Sequence, residues 1–449
     1  MFFSQAALSW LGVLLQERFG HEFILVHENN SLRLHHSTAV GQIIFDNLFA
    51  AFHQSSSDFP CREWNAEAEG YQPAIDDLIP VPGLAALPSR LIEHKEQGTV
   101  IHYDILGLTY WMLSRLEEVG RTDLDNHQRF PAASSHAYKH GYLERPIVDE
   151  WLHILGQVIQ EVWPQLVLKQ HQFSMRVSHD VDAPSQYGFK SWSMIARMMA
   201  GHLLKRHDIK SFVTAPYVKL ATRTQLNSAD PYNTFDWLMD VSEANNLKSA
   251  FYFICGGNHP NDGEYQPEHP VIRNLMRRIH QRGHEIGLHP SYGTYQNPEL
   301  IKQEAERLHA VMQKEGIIQN VLGGRMHYLR WEQPTTLQAW NDAGMSYETT
   351  LSYADRPGFR CGTCFEYQAF NPVTQKILDI RIRPLIAMEC TVIDSVYLGL
   401  GITDNAQNKF LELKDKCRKL GGCFTLLWHN SYFDEQKAFK QIYKRCIEG

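Results

Sequence analysis

Six residues could share one site: Asp180 and Asp182 in VSHDVDAP, His289 in GHEIGLHPS, Arg325 and His327 in GGRMHYLRW, and His429 in TLLWHNSY. Side chains alternate faces along a strand, so Ser178, Asp180 and Asp182 share one side and His179 takes the other. Two carboxylates at that spacing stand roughly 7 Å apart at their Cα atoms. A divalent cation on one of them would leave the other free as a general base. An isolated pair of acids before Pro184 reads equally well as turn-forming, so the reading needs partners. HEIGLH is not a zincin helix, because that motif needs histidines four apart and His284 and His289 are five apart. Gly283 closes the preceding helix, so the stretch is expected to be a strand, with His289 at its end and His284 packed behind. Arg325 and His327 are expected on one face of another strand, and His429 ends a third. Each of these alone is weak, but together they place Asp, Asp, His, Arg, His and His at successive strand ends, where a metal ligand and a general base could meet.

Such residues meet only if several strands end together. After a seam near residues 165–172, short apolar strands alternate with helical patterns about seven times in some 280 residues. Alternation of that kind implies parallel strands joined by crossovers. The fold expected is α/β, a distorted or incomplete β/α barrel over residues 169–449, with the chemistry at its strand ends. Before the seam, helical patterns dominate, as in DILGLTYWMLSRLEEV and PIVDEWLHILGQVIQEVW. Residues 1–168 are therefore expected to form a smaller, mainly helical α+β domain, for which no chemical motif is defensible. The composition is 43% hydrophobic and 21% charged over 449 residues, which is that of a globular protein. A formal charge of −7 argues against a nucleic-acid partner. The eight cysteines are scattered, and Cys361 and Cys364 lack the second pair that a structural zinc site requires.

The ordered set SHDVDAP, GHEIGLHPS, GGRMHYLRW, GMSYETTLSYADRPGFRCGTC and TLLWHNSY resembles the family 4 carbohydrate esterases, the polysaccharide deacetylases. Within them it resembles a bacterial branch with an uncharacterised N-terminal domain. The resemblance implies Asp180 as catalytic base, Asp182 as metal ligand, His289 as first metal histidine, Arg325 as the arginine holding the base and His429 as the acid. It departs at Gly293, where the family has its second metal histidine. Three repairs are open: His327, a looser site using Ser291 or water, or no metal. His327 is favoured because imidazole is the better ligand for zinc, cobalt or nickel. The implied activity is hydrolysis of a carbon–nitrogen bond, removing acetyl from an N-acetylated sugar of a surface polysaccharide or its precursor. The rival is a metal-free, non-catalytic barrel that only grips a glycan.

The N-terminal stretch lacks a basic region before its apolar part, and no segment approaches a membrane span, so a cytoplasmic location is expected. FKSWSMIARMMAGHLLKRHDIK reads as an amphipathic helix covering the barrel, with peripheral docking on an anionic membrane as the alternative. The sequence does not choose an oligomeric state.

Overall fold

A computed structural model describes residues 3–28, 30–96, 98–257, 259–433 and 437–449. The first part of the chain holds β1 (Phe23–Glu28), β2 (Ser31–His36), β3 (Ile43–Phe45), β4 (Cys61–Asn65), β5 (Leu78–Pro82), β6 (Ile92–Lys95) and β7 (Gly98–Ile101). Five of these form a sheet in the order β1-β2-β3-β7-β6, and β4 pairs with β5 alone. The region is thus α+β, with seven short strands that the sequence reading did not place. Strands of three to six residues are too short for alternation to stand out from the stronger helical patterns. Its helices Gln5–Phe19, Ile105–Leu113 and Ile147–Val162 are the periodic stretches of the sequence. Every residue of Ile105–Leu113 is buried.

The second part carries β8 (Ser174–Val181), β9 (Ser249–Ile254), β10 (Glu285–His289), β11 (Gly323–Gly324), β12 (Tyr347–Glu348), β13 (Tyr367–Asn371), β14 (Lys376–Ile382), β15 (Ala387–Met388) and β16 (Cys423–Leu427). They form a nine-stranded sheet in the order β13-β14-β12-β11-β10-β9-β8-β16-β15. Every pairing is parallel except β13 with β14. Helices Phe235–Ala244, Pro270–Gln281, Pro298–Lys314, Thr335–Asp342 and Asp404–Lys419 fall between successive parallel strands. Buried on both faces, β9 reads as an uninterrupted apolar run, SAFYFI. The ends of the parallel run lie on one stretch of chain. β14 pairs with β12 and stops at Ile382; β15 starts at Ala387 and pairs with β16. Between them, Arg383 N–H donates to Glu348 O at 2.9 Å and Ile386 N–H to the Thr425 hydroxyl at 3.0 Å.

Gly324 fixes one tight contact in this sheet. A Cβ there would lie 1.8 Å from Leu288 O, so only glycine lets β10 and β11 approach this closely. The strand expected through GGRMHYLRW stops there: residues after Gly324 leave the ladder, and His327–Leu329 form a single 3-10 turn. Its Tyr328 and Leu329 have φ of 61° and 54°. His327 is therefore not carried on a strand face shared with Arg325. The basic stretch after β8 is two helices, Trp192–Arg206 and Ile209–Ala221, rather than one.

One apolar cluster runs through both parts, from Leu8 and Trp151 to Phe253 and Trp428. The segment after β12 seats in the N-terminal part. Arg360 donates to Glu118 Oε1 at 2.9 Å, and Arg115 donates to the same oxygen at 2.7 Å. The Cys364 amide donates to Asp149 Oδ2 at 2.7 Å. Cys361 and Cys364 are both buried, and burial pushes the Cys361 thiol up to about 11.

Candidate metal centre and catalytic cleft

β8 delivers Ser178 and Asp180 on its inward side, with Asp182 one residue past its end. Arg325 joins the first two. Its Nη1 donates to Asp180 Oδ1 at 2.7 Å and its Nη2 to Ser178 Oγ at 2.8 Å. A third bond, Nε to Thr349 O at 2.9 Å, fixes the guanidinium plane, which lies 5.1 Å from the Tyr252 ring centre. Asp180 is 2% and Arg325 1% exposed, so the pair is screened by protein and not by water.

β10 ends on His289, whose Nδ1 lies 2.6 Å from the carbonyl oxygen of Arg325. A carbonyl only accepts, so Nδ1 carries the hydrogen and Nε2 presents a lone pair. His327 is oriented the same way by a carboxylate, with its Nδ1 3.1 Å from Asp262 Oδ1. Both Nε2 atoms face Asp182 Oδ1, at 3.2 Å from His289 and 3.5 Å from His327. One ligand atom from each of Asp182, His289 and His327 falls within a 4.8 Å group. Among the described residues, Asp182 Oδ1 and His289 Nε2 are buried without a hydrogen-bond partner. Buried polar atoms are nearly always partnered, so these two, beside a third nitrogen donor, fit a cation that takes carboxylate and imidazole. A carboxylate bonded to the far ring nitrogen, as Asp262 is here, orients such histidines in metal sites.

The charges agree. Burial works against ionising Asp182, but the His327, His289 and His429 rings outweigh it and hold its carboxyl well below the usual range. Burial also disfavours the His327 cation, yet Asp182 and Asp262 push its pKa up to about 9. On the far side of Asp182, His429 Nε2 is 3.5 Å from Oδ2. Its Nδ1 bonds Glu389 Oε1, which also accepts the His429 amide at 2.9 Å. Against burial, Glu389 first, then Asp182 and Asp180, raise the His429 pKa to about 10, favouring a charged ring.

Asp180, Asp182, His289, His327 and His429 line a cavity of about 290 Å³ with Tyr328, Leu329, Met388 and Tyr432 on its walls. Arg129 reaches this wall from the N-terminal part, and its Nη1 donates to Tyr328 O at 2.9 Å. Two other positions weighed from sequence lie elsewhere. Gly293 lines a separate cavity. Ser291 is held by Glu304, with Oγ donating at 2.5 Å. His284 packs behind β10, accepting the Ser249 amide at 3.1 Å.

Two acids of the site escaped the sequence reading. Asp262 sits in NDGEY, which signals only a turn. Glu389 had a signal: it is the lone charge in the apolar run LIAMECTVI, and a charge in such a run needs a partner.

Residues 8–164 match DUF7033, a family of unknown function. No curated protein matches the chain. Structural neighbours include a protein from Mycobacterium smegmatis assigned as a polysaccharide deacetylase, 14% identical, covering 62% of this chain and 85% of that one at a TM-score of 0.38. Puue allantoinase is 12% identical, covering 62% and 84% at a TM-score of 0.37. The 4-alpha-glucanotransferase of Thermococcus litoralis is 12% identical, covering 62% and 36% at 0.34.

Proposed function

We propose that this protein is a metal-dependent N-deacetylase that removes acetyl from an N-acetylated sugar of a surface polysaccharide or its precursor, on a β/α barrel whose last strand is split into β14 and β15. The observation that carries the reading is the unpartnered pair Asp182 Oδ1 and His289 Nε2 beside His327, flanked by an arginine-clamped carboxylate and a carboxylate-backed histidine. Asp182, His289 and His327 would hold a divalent ion, with zinc the first choice and cobalt or nickel acceptable. Such an ion supplies Lewis acidity, polarising an amide carbonyl and acidifying water.

Asp180 takes the proton of the attacking water; Arg325 holds its Oδ1 and leaves Oδ2 as the free oxygen of a carboxylate that lines the cavity. His429, charged through Glu389, gives its Nε2 proton to the departing amine. Acetate and a free amino sugar result. At about 290 Å³ the cavity is at the small end of ligand sites, suiting one sugar ring with its acetamido group. Tyr328 and Leu329, held at positive φ, shape its wall, and strained backbone of this kind collects at functional sites.

The test is elemental analysis together with release of acetate from N-acetylglucosamine oligomers. Wild type is expected to hold one divalent ion per chain, lost in Asp182→Ala, His289→Ala and His327→Ala. Asp262→Asn should weaken ion affinity by about 10–100-fold. Asp180→Asn should keep the ion and lose activity. Wild type that takes up no ion after soaking with zinc, cobalt or nickel would replace this reading with a metal-free glycan-binding barrel.

A further inference from the structure

Between β8 and β9 the chain leaves the sheet as a hairpin of two helices, Trp192–Arg206 and Ile209–Ala221. The hairpin has a small core of its own, Tyr187, Ile195, Ala215 and Val218, separate from the main one. Its base is tied to the strand ends that carry the site. Ser185 bonds Asp230 across the two ends of the excursion. Asn430, the residue after His429, donates to Ala183 O at 3.0 Å and to Tyr232 O at 2.9 Å.

Two surface properties coincide on this hairpin. Along its second helix Ile209, Val213, Tyr217 and Leu220, spaced by four, four and three residues, are 67%, 59%, 57% and 54% exposed. That spacing makes one stripe of a helix. Leu203 and Leu204 continue the exposed apolar surface at the turn. The same stretch, from Lys190 to Arg223, holds seven lysines and arginines and one aspartate, in a chain whose formal charge is −7; Lys190 pairs with Glu264 and Lys219 bonds the Gly188 carbonyl, while Arg197, Lys205, Arg206, Lys210 and Arg223 are exposed. The positive charge is thus concentrated where aliphatic surface is exposed.

We propose that this hairpin docks on an anionic lipid bilayer, its apolar stripe entering the headgroup boundary and its basic residues meeting the lipid charges. Charge complementarity selects this occupant. Symmetric pairing with a second copy of the chain would bring two like-charged hairpins together. The contact is interfacial, since no helix among the described residues is long and apolar enough to cross a membrane. Docking at the site's end of the sheet fits a lipid-linked acetamido sugar as substrate. That consequence rests on the deacetylase reading; the docking does not.

The experiment is cosedimentation of the full chain, at low salt, with phosphatidylcholine vesicles and with vesicles of equal parts phosphatidylcholine and phosphatidylglycerol. The expected result is binding to the anionic vesicles only, reversed by salt. Lys205→Glu with Arg206→Glu should weaken it at least about thirtyfold, at about fivefold for each basic charge lost before any repulsion from the introduced carboxylates. Val213→Ser with Tyr217→Ser should weaken it about tenfold or more. Lys302→Glu with Lys314→Glu, which removes the same charge from exposed positions on another helix, should leave it unchanged. All substituted side chains but Tyr217 and Val213 are simple surface charges, and unchanged melting temperatures establish that each variant is folded. Wild type that ignores anionic vesicles, or a control pair that weakens binding as much as the hairpin pair, overturns the proposal. A dimer that the hairpin variants dissociate, without vesicle binding, assigns the face to a second copy and also overturns it. None of these outcomes depends on acetate release.

Discussion

Replacing Arg325 with methionine removes a guanidinium that is 1% exposed and bonds Asp180, Ser178 and the Thr349 carbonyl. Methionine fills part of the volume but leaves Asp180 as a buried carboxylate without its cation, a change that costs about 3–5 kcal/mol. A chain of this length has an unfolding entropy of about 0.9 kcal/mol per kelvin, so the melting temperature should fall by about 3–5 °C if the chain melts as one unit. The apolar cluster common to both parts makes that single unit the expectation. Adding Asp180→Asn removes the stranded charge, and the double variant should recover about 2 kcal/mol relative to additive losses. Calorimetry of the four proteins of this cycle measures the coupling, and elemental analysis of the same samples measures the ion. Ion content should be unchanged throughout, because Arg325 holds the base and not the ligand set, while acetate release should fall at least about 100-fold in each variant. A loss below about 1 °C in Arg325→Met, or strict additivity in the double variant, would show that this guanidinium is not the counter-charge of Asp180.

Gly293→His restores the histidine that the resembling family carries, yet its Cβ would meet only Leu300 Cδ2 at 3.9 Å, in a cavity distinct from that of Asp182. The variant should fold, melt within about 1 °C of wild type and fail to restore the ion in a His327→Ala background; restoration would refute the ligand set. Asp104 caps the helix Ile105–Leu113 and is fully buried, which raises its pKa from 3.8 to about 7 against the bonds from Phe49 and Gly107. The folded state then binds a proton that the unfolded state has released, so this contribution is complete below pH 4 and is lost as pH rises to about 7, by about 4 kcal/mol in total. Asp104→Asn keeps a good cap and should flatten the fall in melting temperature between pH 4 and 7; an unaltered profile would remove Asp104 as its source.

Much of the site was legible because strand periodicity is a local property. Alternation alone puts Ser178 and Asp180 on the face opposite His179, and these two are the residues that Arg325 joins. The five-residue spacing of His284 and His289 likewise separates them, one behind β10 and one at its tip. Periodicity failed after Gly324, where left-handed backbone at Tyr328 and Leu329 ends the strand reading; bulky residues give no warning of such a turn. The short strands of the N-terminal part failed for a related reason, since three to six residues cannot outweigh a neighbouring helical pattern.

The sequence by itself determined which residue types are available, which of them share a face, and where the alternating pattern begins. Those follow from backbone geometry within a few residues. Only the tertiary structure decided that His327 reaches Asp182, that Gly293 points elsewhere, that Asp262 and Glu389 stand behind two of the histidines, and that Arg129 enters the wall from the other end of the chain. These pairings join residues 40 to almost 200 positions apart. Long-range contacts of this kind are set by how strands and loops pack, a free energy summed over the whole core, and no short stretch of sequence carries that sum.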